Sequence, residues 1–257
     1  PLVVHEQNAL PGITNRLLVK FAKQVLVAFP GAFSDKVGHS VVGNPVRQSL
    51  LNLPEPRTRF AERQMPLRVL ILGGSQGARQ LNQVVSQWVL TYALPEEVTV
   101  WHQVGLNHVD DMKSAYQSCD INVRVDGFID DMDAAYAWAD LVVCRSGALT
   151  VSELMAVGVA SILVPFPYDV DDHQYLNAQI LKQSQAAYVV READFTQAKL
   201  QSMVSEYLSH CGGGTSQSLC HQQAEAAYQL AQRDSTTLIV ETLLSVTRRK
   251  RDRAYAE

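Results

Sequence analysis

Several features are scarce in this chain of 257 residues, and each scarcity narrows what it can be. Its four cysteines, Cys119, Cys144, Cys211 and Cys220, are scattered with no CxxC pair. That excludes a disulfide framework and a structural zinc site, and fits a reducing compartment. No apolar run approaches the ~18 residues of a spanning helix, and the first residues do not read as a signal peptide. Positive charge is also short: the net charge is -4, so the overall balance gives no reason to expect nucleic acid as a partner. An initiator methionine is missing too. The sequence opens Pro1-Leu-Val-Val-His5, already inside a strand-like stretch, and we read it as a fragment whose upstream part is absent. What is present fits a globular protein: 47% hydrophobic and 19% charged residues, at a length sufficient for one large or two modest domains.

Short aliphatic runs alternate with longer helical patterns. Strands are expected over residues 2–4, 24–28, 69–72, 98–103, 122–125, 141–144, 161–164 and 187–190. Helices are expected over 14–21, 78–92, 109–117, 132–138, 149–157, 174–183 and 195–208, followed by two without strands at 217–232 and 236–246. Strand–helix alternation with near-continuous apolar strands predicts an α/β fold, a parallel sheet covered on both faces. The prolines and charges around Pro54 and Pro56 read as a linker. The expected division is therefore 1–47, the tail of one α/β domain; 48–57, a linker; 58–233, a complete second α/β domain; and 234–257, a final helix with a basic tail. The basic run Arg248-Arg-Lys-Arg-Asp-Arg253 fits a solvated tail and also contact with anionic lipid.

Two strand-to-helix turns carry chemistry. In Arg68-Val-Leu-Ile-Leu-Gly-Gly-Ser-Gln-Gly-Ala78, a buried strand runs into Gly73, Gly74 and Gly77 around Ser75 and Gln76. Such a turn lets backbone N–H groups approach an anion, with a helix N-terminus behind it. It also describes a plain tight turn. The second is Arg145-Ser-Gly-Ala-Leu-Thr-Val-Ser-Glu153. Ser146 and Gly147 make the turn, and Leu149, Thr150 and Val151 open a helix with unpaired N–H groups. Thr150 and Ser152 offer hydroxyls to phosphate. Glu153, one turn on, can accept the two vicinal hydroxyls of a ribose, although it also fits an exposed helical glutamate. The spacing Thr150-Val-Ser-Glu153 also fits a capping box. Two such loops in one sheet point to a nucleotide at the carboxyl ends of the strands.

Other signals fail. A nicotinamide site needs GxGxxG and an acidic residue at the end of the next strand. Here the glycines read GGxxG, and Val-Thr-Val-Trp-His-Gln-Val-Gly105 ends without one. His5-Glu6 begins an HExxH zinc helix, but position 9 is alanine. Asp169-Val170-Asp171 and Asp131-Met132-Asp133 match a DxD metal pattern that short acidic loops produce by chance. His102 and His108 have no partner at ligand spacing and read as structural or exposed.

Taken in order, His5-Glu-Gln-Asn8, Gly43-Asn-Pro-Val-Arg47, Gly73-Gly-Ser-Gln-Gly-Ala78, Phe128-Ile-Asp-Asp-Met132, Arg145 through Glu153, Pro165-Phe-Pro167 and His173-Gln-Tyr-Leu-Asn-Ala178 resemble the MurG family of bacterial peptidoglycan glycosyltransferases. The resemblance covers essentially the whole chain. It implies the GT-B architecture, here a complete C-terminal donor domain and the tail of a truncated N-terminal Rossmann-like domain, with the final helix crossing back to the latter. It implies transfer of N-acetylglucosamine from its UDP donor onto lipid I to make lipid II, inverting and without metal or cofactor. The implied donor contacts are Asn8 to the sugar, Arg47 and Ser75 to the donor, and Ser75 and Gln76 near the diphosphate. Ile129 meets the uracil through its backbone. Ala148, Leu149, Thr150, Val151 and Ser152 line phosphates and ribose, Glu153 holds the ribose, and Gln174 bonds sugar hydroxyls. Implied partners are UDP-N-acetylglucosamine, lipid I, the cytoplasmic membrane surface and other cell-wall synthesis proteins; the implied place is peripheral, at the inner face of that membrane. The family's glycine-rich acceptor loops and its histidine base have no match here. The catalytic base is therefore left unassigned, His5 is not given that role, and the chain alone is expected to bind donor with little or no turnover. Two other readings remain: a donor-binding module that needs a partner subunit, and a UDP-sugar epimerase.

Overall fold

The computed structural model describes residues 1–74, 77–209 and 218–254, with the backbone alone for 170 and 248–254. Ser75, Gln76, Cys211 and the side chains of the basic run therefore lie outside the described residues. The first strands are β1 (Val3–Glu6), β2 (Gln24–Val27) and β3 (Ser40–Val41), parallel in the order β1-β2-β3, with α1 (Ile13–Leu18) joining the first two. The two-residue β3 was too short to show in the sequence pattern. The stretch expected as a linker carries two short helices, α2 (Gln48–Leu51) and α3 (Pro56–Phe60). Pro56 opens α3 at its first turn, where the missing N–H costs nothing, so a proline that reads as a breaker is a helix start.

A six-stranded parallel sheet follows, built from β4 (Leu67–Leu72), β5 (Val98–Gln103), β6 (Val123–Asp126), β7 (Leu141–Cys144), β8 (Ala160–Leu163) and β9 (Ala187–Val189). Its order is β6-β5-β4-β7-β8-β9. The helices are α4 (Arg79–Tyr92), α5 (Val109–Tyr116), α6 (Met132–Trp138), α7 (Ala148–Val157), α8 (His173–Gln183) and α9 (Gln197–Ser209), then α10 (Leu219–Gln229) and α11 (Ser235–Ala254). Successive strand residues face opposite ways. Val69, Ile71, Val143 and Ile162 thus meet Val85, Trp88 and Tyr207 on one face. Leu70, Leu72, Val142 and Leu163 meet Tyr136, Leu154 and Leu181 on the other. Both faces are covered, which is why the strands read as unbroken aliphatic runs rather than alternating ones.

The first unit is joined to this sheet by apolar and polar contacts. Ala28, Phe29 and Leu50 belong to the same buried cluster as Val151 and Met155 of α7. The Arg233 guanidinium, just before α11, donates to the carbonyl of Leu51 at 3.5 Å and of Ala156 at 2.5 Å. Gly43 lies so close to the start of α11 that a Cβ there would stand 2.4 Å from Ser235 Oγ.

His102, on β5, is fully buried and structural. Asn82 donates its Nδ2 to the carbonyl of Val104 at 2.8 Å, which turns its oxygen toward His102 Nε2 at 3.2 Å. His102 Nε2 therefore carries the proton, and Nδ1 accepts from the Tyr116 hydroxyl at 3.0 Å. Burial pushes the imidazole down to about 3. The unfolded residue titrates near ~6.5, so between those values the unfolded chain takes up a proton that the folded chain refuses. The stability tied to a neutral His102 is complete above pH ~6.5 and is lost as pH falls toward 3, by at most about 1.4 kcal/mol per pH unit. Urea unfolding between about pH 7 and pH 4 is expected to show a steeper loss in the parent than in His102→Gln; parallel slopes would refute this role.

Candidate functional site

The sheet order reverses between β4 and β7: the chain runs outward from β4 through β5 to β6, then returns to place β7 on its other side. Crevices at such a reversal, beyond the carboxyl ends of the strands, are where open α/β sheets hold ligands. Leu72 pairs with Cys144 at the last rung, so the next residues, Gly73 and Arg145, emerge side by side on strands about 4.8 Å apart. The two turns singled out in the sequence are therefore neighbours and face one crevice.

Each turn is open for a physical reason. Gly74 and Gly77 have φ of +77° and +76°, in the left-handed region that favours glycine. A Cβ on Gly77 would also sit 2.4 Å from the carbonyl oxygen of Val104. At the other turn, α7 begins after Gly147, which has no side chain to cap the helix. The first-turn N–H groups of Ala148, Leu149 and Thr150 therefore have no intrahelical partner. Because Gly147 is the N-cap, the capping box expected from Thr150 and Glu153 does not form.

Two cavities open from this crevice. The smaller, of about 440 Å³, is lined by Arg47, Gly73, Gly74, Gln103, Phe128, Ile129, Tyr136, Arg145, Thr150 and Glu153 among others. The larger, of about 1170 Å³, runs past Gly73, Gly77, Arg145, Phe166, Tyr168, Gln174 and Glu192. Gly73 and Arg145 line both, so the cavities meet where the two turns meet.

Glu153 is held from two sides in the smaller cavity. The hydroxyl of Tyr136 donates to Oε2 at 3.1 Å, and Arg47 Nη2 lies 3.3 Å from Oε1. Tyr136 is wholly buried, and burial, with the Glu153 carboxylate beside it, pushes its phenol well above the usual range. It therefore remains a donor and fixes the carboxylate. Each oxygen keeps a lone pair free, and the Arg47 side chain is half exposed and free to yield.

Gln174 is aimed by its surroundings. Its amide oxygen accepts from the backbone N–H of Ser146 at 3.3 Å and of Phe166 at 3.1 Å, which leaves the amide NH₂ to donate. Asp169 fixes the start of α8 by accepting from the Gln174 N–H at 2.7 Å, and Asp172 pairs with Arg191 through both oxygens, at 2.8 and 2.7 Å. Asp169 and Asp172 thus help to hold the loop.

Of the residues expected at the site, Arg47, Ile129, Thr150, Glu153 and Gln174 line the two cavities. Thr150 and Glu153 are three apart on one face of α7, and 100° per residue turns the others away. Ser152 is the clearest departure. Its hydroxyl donates to the Ala148 carbonyl at 2.9 Å and accepts from Asn44 Nδ2 at 3.1 Å, so it serves the seam with the first unit and not the crevice. The Val151 side chain is core, and its N–H bonds Gly147. The Leu149 side chain is exposed, so Ala148 and Leu149 can contribute backbone only. Asn8 lines neither cavity; its side-chain oxygen accepts from the buried Asn177 at 3.1 Å. Ser75 and Gln76 lie outside the described residues.

Residues 68–233 match the model of the glycosyltransferase family 28 C-terminal domain. The chain belongs to glycosyltransferase family 28. A relative from Coxiella burnetii, named UDP-N-acetylglucosamine--N-acetylmuramyl-(pentapeptide) pyrophosphoryl-undecaprenol N-acetylglucosamine transferase, is 47% identical over 207 residues, covering 80% of this chain and 58% of the relative. A relative of the same name from Shewanella denitrificans is 44% identical over 253 residues, covering 97% of this chain and 67% of the relative. The crystal structure of Acinetobacter baumannii MurG superposes with a TM-score of 0.84 at 33% identity, covering 95% of this chain and 67% of that one. The parallel α/β architecture is thus that of a GT-B enzyme, and the chain spans just over half the length of the Coxiella relative.

In this family 28 chain the sequence reading missed Tyr136, Arg145 and Glu192. Arg145 opens a turn whose glycine and hydroxyls drew the attention, yet its position directly after a buried strand was a usable signal. Tyr136 and Glu192 carry no local one, since the fold alone brings them to Glu153 and Arg145. If the turn at Gly77 needs its left-handed backbone, Gly77→Ala is destabilising by at least about 1 kcal/mol in urea melts, whereas alanine at an unstrained glycine stabilises. An unchanged midpoint would show that the turn relaxes freely.

Proposed function

We propose that this chain is the donor-binding portion of an enzyme that transfers N-acetylglucosamine from UDP-N-acetylglucosamine onto lipid I, giving lipid II for peptidoglycan. The observation that carries this reading is the junction of two open turns with a pinned carboxylate one helical turn away. The uracil lies in the smaller cavity against Phe128 and Ile129, where backbone groups read its edge. Glu153 accepts the ribose hydroxyls. The diphosphate lies at the junction, where the N-terminus of α7 presents N–H groups and a partial positive charge and the Gly74 N–H adds a donor from the other turn, the Gly73 N–H being bonded to the Gln103 carbonyl at 3.0 Å. The sugar extends into the larger cavity toward the Gln174 amide. The likeness to the Coxiella and Shewanella transferases supports the choice of donor and acceptor.

In a single displacement, an acceptor hydroxyl oxygen attacks the anomeric carbon, the bond from that carbon to the diphosphate oxygen breaks, and UDP leaves with the electron pair. Charge builds on the diphosphate, and preorganised N–H donors stabilise it without reorganising. The acceptor's proton goes to a base that no residue of this chain is assigned to provide. A lipid-linked acceptor places the enzyme at the cytoplasmic membrane surface. Among the described residues no helix is long and apolar enough to cross a membrane.

Glu153→Ala is expected to weaken UDP binding by about 1–3 kcal/mol, the range for hydrogen bonds to a charged group, read by calorimetry. Unchanged affinity would remove Glu153 from the ribose site. Asp169 already accepts from the Gln174 N–H, and EDTA is expected to leave UDP affinity unaltered; loss on chelation would revive Asp169 and Asp171 as metal ligands. Incubating the chain with UDP-N-acetylglucosamine and no acceptor should leave the sugar unchanged by NMR; an epimer would favour an epimerase instead.

A further inference from the structure

Arg145 and Glu192 form a partly buried ion pair at the junction of the cavities, with Arg145 Nη2 donating to Glu192 Oε2. Arg145 lines both cavities, and Glu192 lines the larger one. The guanidinium does not depend on the carboxylate for its aim. Its Nη1 donates to the carbonyls of Val164 at 3.1 Å and Pro165 at 3.3 Å, and it lies 5.5 Å from the Phe166 ring centroid. Nor does the Glu192 loop depend on the pair, since the Glu192 carbonyl accepts from Gln80 Nε2 at 3.3 Å. What the carboxylate adds is charge. It cancels the arginine and places a negative group beside the crevice that opens onto two anion-seeking turns.

We propose that Glu192 is a built-in counter-anion that competes with the diphosphate for Arg145, holding UDP affinity down and easing release of the UDP product. This rests on the donor-site reading above. When a diphosphate enters, Arg145 turns its free N–H groups to it while the two carbonyls keep the side chain in place. When UDP leaves, Glu192 takes back the guanidinium, so the emptied site is not left with an unpaired, partly buried cation.

Calorimetry with UDP and with inorganic pyrophosphate tests this. Glu192→Gln keeps a hydrogen-bond acceptor and removes the charge. Both ligands are expected to bind about three- to thirtyfold more tightly, the range for one charge removed from a partly solvated site, with a steeper loss of affinity as salt rises. Equal or weaker binding by Glu192→Gln overturns the proposal. If that variant does not fold, the comparison of Arg145→Gln with the Arg145→Gln/Glu192→Gln double variant decides. The lone carboxylate of the former still repels phosphate, so the double variant is expected to bind more tightly, and equal affinities overturn the proposal. A parent chain that binds no UDP sinks the donor reading and this inference together. A parent that binds UDP with Glu192→Gln unchanged sinks this inference alone.

Discussion

The rung that pairs Leu72 with Cys144 governs this molecule. It joins the two strands between which the sheet reverses direction, and it delivers one glycine-bearing turn from each to the same edge. Turns that could stand at opposite ends of a sheet are thereby set within a strand spacing of each other. The apolar cost of that arrangement is met on both faces. Residues before the rung are almost all buried aliphatics, and the helices over them supply Trp88, Tyr207, Tyr136 and Leu154. Residues after it are small or polar, which leaves the crevice open. The change from Leu-Ile-Leu to Gly-Gly, and from Val-Val-Cys to Arg-Ser-Gly, is where the chain turns from packing the core to lining the crevice.

The first unit does not merely sit beside this crevice. Asn177 is fully buried in α8, accepts from the Ala9 N–H at 2.8 Å, and donates to Asn8 Oδ1 at 3.1 Å and the Ser146 carbonyl at 3.3 Å. Glu6 orders the same loop from behind, accepting from the N–H of Asn8 at 2.8 Å and from Asn15 Nδ2 at 2.8 Å. A buried amide so fully bonded is costly to disturb, since breaking one partner leaves the others unsatisfied. Ser146 in turn donates its hydroxyl to the Gln174 carbonyl at 2.8 Å. The loop after β1 and the turn before α7 thus form one hydrogen-bonded body, and Arg47 adds a second, more exposed link to Glu153.

Much of this was legible in the sequence because the physics was local. Aliphatic runs between helical patterns gave every strand but the two-residue β3 to within one or two residues, and glycines after strands gave both turns. Glu153 was singled out from spacing alone, one helical turn into a helix with a small, polar start, and it lines the smaller cavity. What escaped needed the fold. The linker prolines looked like breakers, yet Pro56 starts a helix because a first-turn position tolerates it. Ser152 looked like a phosphate donor, yet its angular position on α7 turns it to Asn44. Asn8, expected at the sugar, lines neither cavity, and its side-chain oxygen accepts from Asn177. Tyr136 and Glu192 lie 17 and 47 residues from the groups they bind, beyond the reach of any local pattern.

The central claim is that both turns hold one diphosphate at once. Titrating isotope-labelled protein with UDP while following backbone amide resonances tests it most directly. The account predicts that Gly73, Gly74, Ala148, Leu149 and Thr150 shift together along a single binding curve. Shifts confined to one turn, or amides of the two turns that saturate at different UDP concentrations, would contradict it.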